Sequence, residues 1–194
     1  MLKRLACLAV LALAVPAIAS AATVKVRVEG KTRTLFGPTE VTVSASTPLE
    51  ALQQASLLGE LYYHVTSSSF GNYVDQVGLY GGSASSGWVF KVDNVSPPVG
   101  ADQVQLKDGD TVEWYYATFG ANGGPPTLVL TKTSARCYAA TGQDDSGAKK
   151  VPTGLVYHTD GRAISAPAGH ICFAKPHGLV WVTAPGAVRS NRLP

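Results

Sequence analysis

The segment TPLEALQQASLLG, residues 47–59, is the clearest signal of fold class, because it predicts an amphipathic helix in a chain otherwise rich in strand patterns. Thr47 is a typical N-cap, Pro48 suits the first helical position, and Glu50 completes a capping box. Apolar residues recur at helical spacing until Gly59 ends the pattern. Those residues are Leu49, Leu52, Ala55 and Leu58. We expect a helix of about three turns with one buried face.

Strands are predicted on both sides of this helix. Residues 24–28 alternate apolar and polar side chains, which is typical of a half-buried strand. Further strand patterns occupy 41–43, 61–66, 73–79, 87–92 and 111–116. One helix packed over a mixed sheet is an economical way to bury these faces. The sequence therefore predicts an α+β, β-grasp-like module over residues 22–119.

The composition changes at residues 120–126, GANGGPP, which predict a linker because such a segment cannot form a core. Residues 127–194 show no helical periodicity, and short apolar runs alternate there with turn residues such as Asp160-Gly161. We predict a small all-β sandwich. A core of under about 70 residues is marginal, so a covalent staple would make physical sense.

Cysteine usage suggests what that staple is. Beyond residue 21 the chain has two cysteines, Cys137 and Cys172. An even pair in an exported protein favours a disulfide, which would stabilise the fold by up to ~3–4 kcal/mol. The alternative is a metal site that uses Cys172 with the nearby His170.

The first 21 residues predict export. A basic start at Lys3-Arg4 precedes an apolar run over 5–18 and the small residues Ala19-Ser20-Ala21, which together are typical of a secretory signal peptide. The run is shorter than the roughly 20 apolar residues that span a bilayer. We expect cleavage after Ala21 and a secreted, periplasmic or cell-surface protein without a membrane span.

The charge balance argues against nucleic acid as a partner. The chain has 16 basic and 13 acidic residues, and loss of Lys3 and Arg4 leaves 14 basic residues against those 13. No basic run is longer than two residues. Nucleic-acid binding needs a basic stripe or patch, which this nearly neutral chain lacks.

Three blocks between residues 70 and 120 resemble a known family. They are FGNYV at 70–74, GWVFKVD at 87–93 and LKDGDTVEWYY at 106–116. In order and spacing they are similar to the transcobalamin-like C-terminal domain, the β-domain of intrinsic factor and transcobalamin, which also occurs alone in bacterial surface proteins. The resemblance covers residues 22–120 and implies a β-grasp-like fold.

The resemblance also implies cobalamin or another corrinoid as a ligand. In the vertebrate carriers this domain lies against one face of the corrin, and a helical domain holds the other face. The present sequence predicts no helical domain, so it would bind weakly or need a partner. Residues 127–194 resemble prealbumin-like or carboxypeptidase-regulatory-like sandwiches, chiefly over 151–189, which implies a structural spacer or an adhesion unit.

Aromatic side chains and a loop rich in Gly and Ser supply the candidate ligand contacts. Loop 80–86 could wrap a ligand with its backbone N–H groups and hydroxyls, or it could be an ordinary connection. Trp114 and Tyr116 share one strand face and Tyr115 has the other, so we expect one aromatic row at the surface unless both faces are covered. The predicted ligand-binding residues are Tyr80, Gly82, Ser83, Ser85, Ser86, Trp88, Tyr115 and Phe119.

No catalytic or metal site is predicted. The sequence contains neither Gly-x-Ser-x-Gly nor His-Glu-x-x-His. His64 could ligate a corrinoid cobalt or a metal, but no second ligand follows at metal spacing. Asp108/Asp110 and Asp144/Asp145 have the character of turn residues and do not form a calcium loop.

The leading hypothesis is a secreted, non-catalytic binding protein for cobalamin or another corrinoid, with no resident cofactor. The alternative is a cell-surface adhesion or protein-interaction module with an envelope protein as partner. A hydrolase with an unrecognised site is the third hypothesis.

Overall fold

The computed structural model describes residues 21–68, 71–121, 123–175 and 178–194. The predicted signal peptide lies outside these residues apart from Ala21, as do Phe70 of the first family-like block and Asn122 of the predicted linker. Within the described ranges, no helix is both long enough and apolar enough to cross a bilayer.

Among the residues described, the first module contains one helix and seven strands. They are β1 (Ala22–Glu29), β2 (Thr34–Ala45), α1 (Pro48–Gly59), β3 (Tyr63–Ser68), β4 (Gly71–Val77), β5 (Tyr80–Gly81), β6 (Ser86–Val92) and β7 (Thr111–Thr118). The main sheet has the order β2-β1-β7-β6, with β1 and β7 parallel and the other pairs antiparallel. A second, antiparallel sheet has the order β3-β4-β5.

Helix α1 begins and ends much as its sequence predicts. The Thr47 hydroxyl accepts the N–H of Glu50 at 3.2 Å, which satisfies one of the free donors of the first turn. The Glu50 carboxylate accepts from Ser46 N–H, at 2.7 Å, and not from the N-cap residue itself. The helix ends at Gly59, yet Glu60 takes the left-handed conformation (φ 52°) that closes the last turn.

The core of the first module lies between α1 and one face of the main sheet. Alternate residues of β1 and β7 contribute this face, as expected for side chains that point to opposite sides of a strand. Trp114 is buried and its indole N–H donates to the Pro48 carbonyl at 2.9 Å, which fixes the helix over the sheet. The central buried residues are Val24, Val26, Val28, Ala51, Leu52, Ala55, Val112 and Trp114.

The second module is a two-sheet sandwich. Its strands are β8 (Thr127–Ser134), β9 (Cys137–Gln143), β10 (Lys149–Lys150), β11 (Val156–Thr159), β12 (Arg162–Ser165), β13 (His170–Cys172) and β14 (Trp181–Thr183). One sheet contains β8, β9, β10 and β13, and the other has the order β12-β11-β14. The core between them consists of Leu128, Leu130, Tyr138, Ala140, Leu155, Tyr157, Val180 and Val182.

A disulfide cross-links β9 and β13 of the sandwich. Cys137 and Cys172 lie directly opposite each other in this antiparallel pair, and their Cα atoms are 4.1 Å apart. The bond joins residues 35 positions apart and so restricts the unfolded chain. The predicted disulfide is confirmed.

The α+β prediction is confirmed in both parts, a helix on a mixed sheet and then a small all-β sandwich. Two local expectations were wrong. Tyr80 and Gly81 form strand β5 by pairing with β4, although the sequence predicted a loop there. Both aromatic rows of β7 are also covered, because the second module packs on the outer face of the sheet, so that Tyr115 is as buried as Trp114.

Candidate ligand-binding groove

A hollow of about 280 Å³ lies between β4 and β6 and is lined mainly by apolar atoms. The two strands face each other without forming a ladder, although Gly82 N–H donates to the Asp75 carbonyl at 2.8 Å at one end. We call this hollow the β4–β6 groove. Its lining residues are Leu49, Asn72, Tyr73, Val74, Trp88, Val89, Phe90, Ser96, Pro97, Gly100, Ala101, Trp114, Tyr115, Phe119 and Asp145.

Aromatic rings of β6 and β7 form one wall of the groove and hold each other in place. Trp88 packs edge-on against Tyr116 with ring centroids 5.7 Å apart, and its indole N–H donates to the Tyr80 carbonyl at 2.7 Å. Phe90 packs on Trp114 with centroids 5.2 Å apart. Rings fixed in this way offer a rigid apolar surface that loses little entropy when a ligand binds.

The backbone of β6 gives the groove a row of hydrogen-bonding groups. At one end of β6 the Ser85 carbonyl accepts Phe119 N–H, and at the other end Asp93 N–H donates to the Thr111 carbonyl. The odd-numbered residues therefore bond toward β7, and the even-numbered residues between them point their N–H and C=O groups away from it. The turn residues Ser83 and Val95 pair with the two ends, Ser86 and Val92. Between those ends, the N–H and C=O groups of Trp88 and Phe90 have no hydrogen-bond partner within the ranges that the structure describes.

A second, more polar hollow of about 510 Å³ adjoins the groove and shares Tyr73, Val74 and Trp88 with it. The predicted Gly/Ser loop forms one side of it. Ser83 and Ser86 bond to each other through backbone and hydroxyl groups, and the Ser86 hydroxyl also contacts the Tyr116 hydroxyl at 2.8 Å. The loop therefore presents a fixed set of polar groups.

The structure brings six of the eight predicted ligand-binding residues to these two hollows. Trp88, Tyr115 and Phe119 line the groove, while Gly82, Ser83 and Ser86 line the adjoining hollow together with Trp88. The remaining two lie elsewhere.

Tyr80 and Ser85 line neither hollow. The Tyr80 hydroxyl contacts the Thr32 hydroxyl at 2.8 Å, and its ring packs against Tyr116. The Ser85 carbonyl accepts Phe119 N–H and so helps to hold the end of β6 on β7. Both residues support the groove from outside.

Tyr115 contributes less surface than the sequence suggested. Its side chain is 1% exposed and packs against Val188 of the second module. Burial, followed by the nearby Asp145 carboxylate, raises the pKa of its phenol well above the ordinary value, so the hydroxyl stays neutral. Phe119, which is 43% exposed, is the more accessible of the two at the groove.

Several residues that line the groove were not among the predicted ligand contacts. Tyr73 is 53% exposed at the groove mouth and belongs to the FGNYV block, so its position in that motif was a usable signal. Asp145 comes from the second module and brings a carboxylate to the groove. It accepts the Ser96 hydroxyl at 3.0 Å and lies 3.9 Å from Lys91 Nζ. A contact between modules carries no local signal in the sequence.

His64 does not form part of a metal cluster in the described residues. Its Nδ1 lies 2.7 Å from an oxygen of Asp75, whose other oxygen accepts the Thr66 hydroxyl. That hydroxyl and the histidine together lower the pKa of the Asp75 carboxyl below its usual value. The arrangement ties β3 to β4 by ordinary hydrogen bonds.

Comparisons with known proteins find similarity over part of the chain. A family model described as a domain of unknown function (DUF4430) matches residues 46–118, from just before α1 to the end of β7. No curated protein matches the sequence. A solved structure from Ruminococcus gnavus ATCC 29149, described as that of a candidate metal-binding protein, is 18% identical with a TM-score of 0.39, over 51% of this chain and 99% of that one.

Proposed function

We propose that this chain is an exported, non-catalytic binding protein whose ligand lies in the β4–β6 groove. The observation that carries the proposal is the pairing of rigid apolar walls with the unpaired backbone groups of Trp88 and Phe90. Ligand sites are mostly apolar concavities with a few convergent polar groups. Export follows from the predicted signal peptide, with a destination in the periplasm, at the cell surface or outside the cell.

Cobalamin or a related corrinoid is the ligand to test first, because the chain resembles the transcobalamin-like C-terminal domain. The groove measures about 280 Å³, near the lower end of the roughly 300–1,000 Å³ that is usual for small-molecule pockets. A corrin is too large to enter such a space, so it would lie across the mouth with one edge inserted. Amide groups at that edge would pair with the free N–H and C=O groups of β6. We therefore expect modest affinity for the isolated protein.

Calorimetric titration of residues 22–194 with cyanocobalamin up to millimolar concentration tests this ligand. Tyr73 and Tyr62 make a matched pair of variants, because both side chains are more than half exposed and only Tyr73 lines the groove. We expect Tyr73→Ala to weaken binding about five- to tenfold, or roughly 1 kcal/mol, and Tyr62→Ala to leave it unchanged. Absence of heat at millimolar corrinoid would reject the corrinoid, and equal losses in both variants would reject the groove.

A second candidate function is protein interaction at the cell surface through the same groove. The unpaired N–H and C=O groups of Trp88 and Phe90 favour it, since an unpaired strand edge can pair with an extended segment of a partner. Peptides selected for binding from a random library would test it. Methylating alternate backbone nitrogens of such a peptide should abolish binding if the peptide adds to β6 as a strand. A selection that enriches no peptide counts against this function.

The proposal of a non-catalytic protein rests on side-chain geometry in the described residues. The hydroxyl of Thr183 lies 2.8 Å from Nε2 of His158, which is a contact of the kind that a nucleophile and its base would make. The His158 ring stacks on Trp181, and no carboxylate of the described chain contacts its other nitrogen. Catalytic triads need that third, orienting group. A screen with activated esters, glycosides and peptides should give no turnover, and turnover that Thr183→Ala abolishes would overturn the proposal.

A further inference from the structure

Three potential metal ligands lie together at the stapled β9–β13 pair. His170 and Cys172 are two residues apart on β13 and so point to the same side of the sheet, and Cys137 faces Cys172 on β9. One ring nitrogen of His170 and the two sulfur atoms lie within 4.8 Å of one another. Cys137 is half-buried, whereas His170 and Cys172 are exposed.

One distance in this cluster already suits a tetrahedral ion. His170 Nε2 lies 3.7 Å from Cys172 Sγ. Zinc takes sulfur at about 2.3 Å and nitrogen at about 2.0–2.1 Å, so tetrahedral geometry sets a sulfur–nitrogen separation of about 3.6 Å. That edge already has the required length. Reduction of the disulfide would free both sulfurs, and a tetrahedral ion would hold them about 3.8 Å apart.

We propose that the reduced form of this protein binds a thiophilic d¹⁰ cation of the Zn²⁺ class through Cys137, His170 and Cys172. The site lies in the second module, so the inference goes beyond the groove function and its test is independent. Three protein ligands on an exposed strand pair leave the fourth position to water or to an external ligand. The bound ion would cross-link β9 and β13 where the disulfide did before.

The chemistry requires a reductant, for which a dithiol is the natural class. The dithiol gives two electrons and two protons to the Cys137–Cys172 disulfide, producing two thiols, and it closes to a cyclic disulfide itself. Metal binding then displaces both thiol protons, because the thiolate is the ligand. The same sulfur atoms serve the disulfide and the metal, so the two states exclude each other.

The test compares oxidised and reduced protein. Residues 22–194 are reduced with a water-soluble phosphine, which takes the oxygen of one water while its two hydrogens go to the thiols, and the phosphine is removed under argon. Titration with Zn²⁺ by calorimetry should show one ion per reduced chain and none per oxidised chain. Co²⁺ in place of Zn²⁺ should give the visible absorption of thiolate ligation.

A matched pair of histidine variants locates the site. His170→Ala should weaken Zn²⁺ binding to the reduced chain by at least about tenfold, the lower end of the cost of even an outer-shell change. His64→Ala removes a histidine of the first module and should change nothing. Binding of equal strength in oxidised and reduced protein, or in wild type and His170→Ala, would overturn the proposal.

A melting experiment keeps the proposal testable if reduction loosens the sandwich. Ligands that bind only the folded state raise its melting temperature. Zn²⁺ should therefore raise the Tm of the reduced wild type but not of the oxidised protein, and His170→Ala should lose most of that rise. An unchanged Tm in the reduced wild type would contradict the inference.

Discussion

The two faces of the main sheet are formed by the same strands, but one face buries apolar side chains and the other buries ionisable side chains. The inner face, under α1, is made of valine, alanine and tryptophan side chains. The outer face, under the second module, carries four ionisable side chains that are 3% exposed or less, namely Arg27, Glu29, Lys91 and Glu113. A strand that alternates apolar and charged residues normally has one face in water. Here both faces are buried where the second module covers the sheet, so the alternation of charge does not mark a solvent-exposed face.

Buried charges are tolerated on the outer face because almost all of them have partners. Arg27 lies 2.7 Å from Glu113 and 3.3 Å from Glu29, and Arg189 of the second module lies 2.9 Å from Glu29. Lys91 donates to the Gln143 and Asp144 carbonyls at 2.9 and 2.8 Å. Such contacts demand one relative position of the two modules, whereas the apolar part of the contact is small and centres on Tyr115, Ala117 and Val188.

Removal of Arg27, the central cation of this buried cluster, should have the largest effect on stability. Arg27→Ala leaves the carboxylates of Glu29 and Glu113 buried with less compensation, so we expect a loss of about 3–5 kcal/mol in the free energy of unfolding. Urea denaturation measures it. Arg33→Ala removes an exposed arginine of the same module and should change stability by less than about 0.5 kcal/mol. Similar small effects in both variants would show that the outer face is effectively solvated.

A smaller effect should distinguish the two faces, because only the outer face should make the free energy of unfolding depend on pH. Burial raises the pKa of Glu113 to about 7, since Arg27 is shared with Glu29 and offsets only part of the desolvation. The folded state therefore binds more protons than the unfolded state between pH 4.5 and 7, and this carboxyl's contribution to stability falls as pH rises through that window. Above pH 7 the loss is complete.

Glu113→Gln tests this contribution because its amide cannot titrate. Relative to wild type, the variant should gain on the order of 2–3 kcal/mol between pH 5 and pH 8, measured by urea denaturation at each pH. Glu60→Gln removes an exposed carboxylate from the end of α1 and should run parallel to wild type. A Glu113→Gln profile that also runs parallel to wild type would contradict the assignment.

Local patterns predicted the inner face well. Thr47, Gly59 and the apolar spacing between them place α1 correctly, because capping and periodicity act over a few residues. The GWVFKVD and LKDGDTVEWYY blocks become the antiparallel pair β6–β7, in which Trp88 lies opposite Tyr116. Six of the eight residues predicted for ligand binding reach the two hollows for the same reason, since they lie on or beside these two strands.

The outer face and the far wall of the groove could not be predicted in this way. Arg27 meets Arg189, and Lys91 meets Asp144, across 162 and 53 residues of sequence, and no periodicity encodes such contacts. Tyr115 was expected at the surface if only one sheet face were covered, and the second module covers the other. Asp145 also belongs to the second module, and it reaches the groove because that module packs against the first. What the sequence left open is where one module meets the other.

The smallest effect should come from the inner face, where the helix cap lies away from the charged cluster. Thr47→Ala removes the hydroxyl that accepts Glu50 N–H and should cost about 1 kcal/mol, measured by urea denaturation. No titrating outer-face group is touched, so the loss should be the same at pH 5 and pH 8. Thr47→Ser keeps an accepting hydroxyl and should recover most of the stability. If the loss varied with pH as the Glu113 contribution does, the two faces of the sheet would be energetically coupled and the contrast between them would not hold.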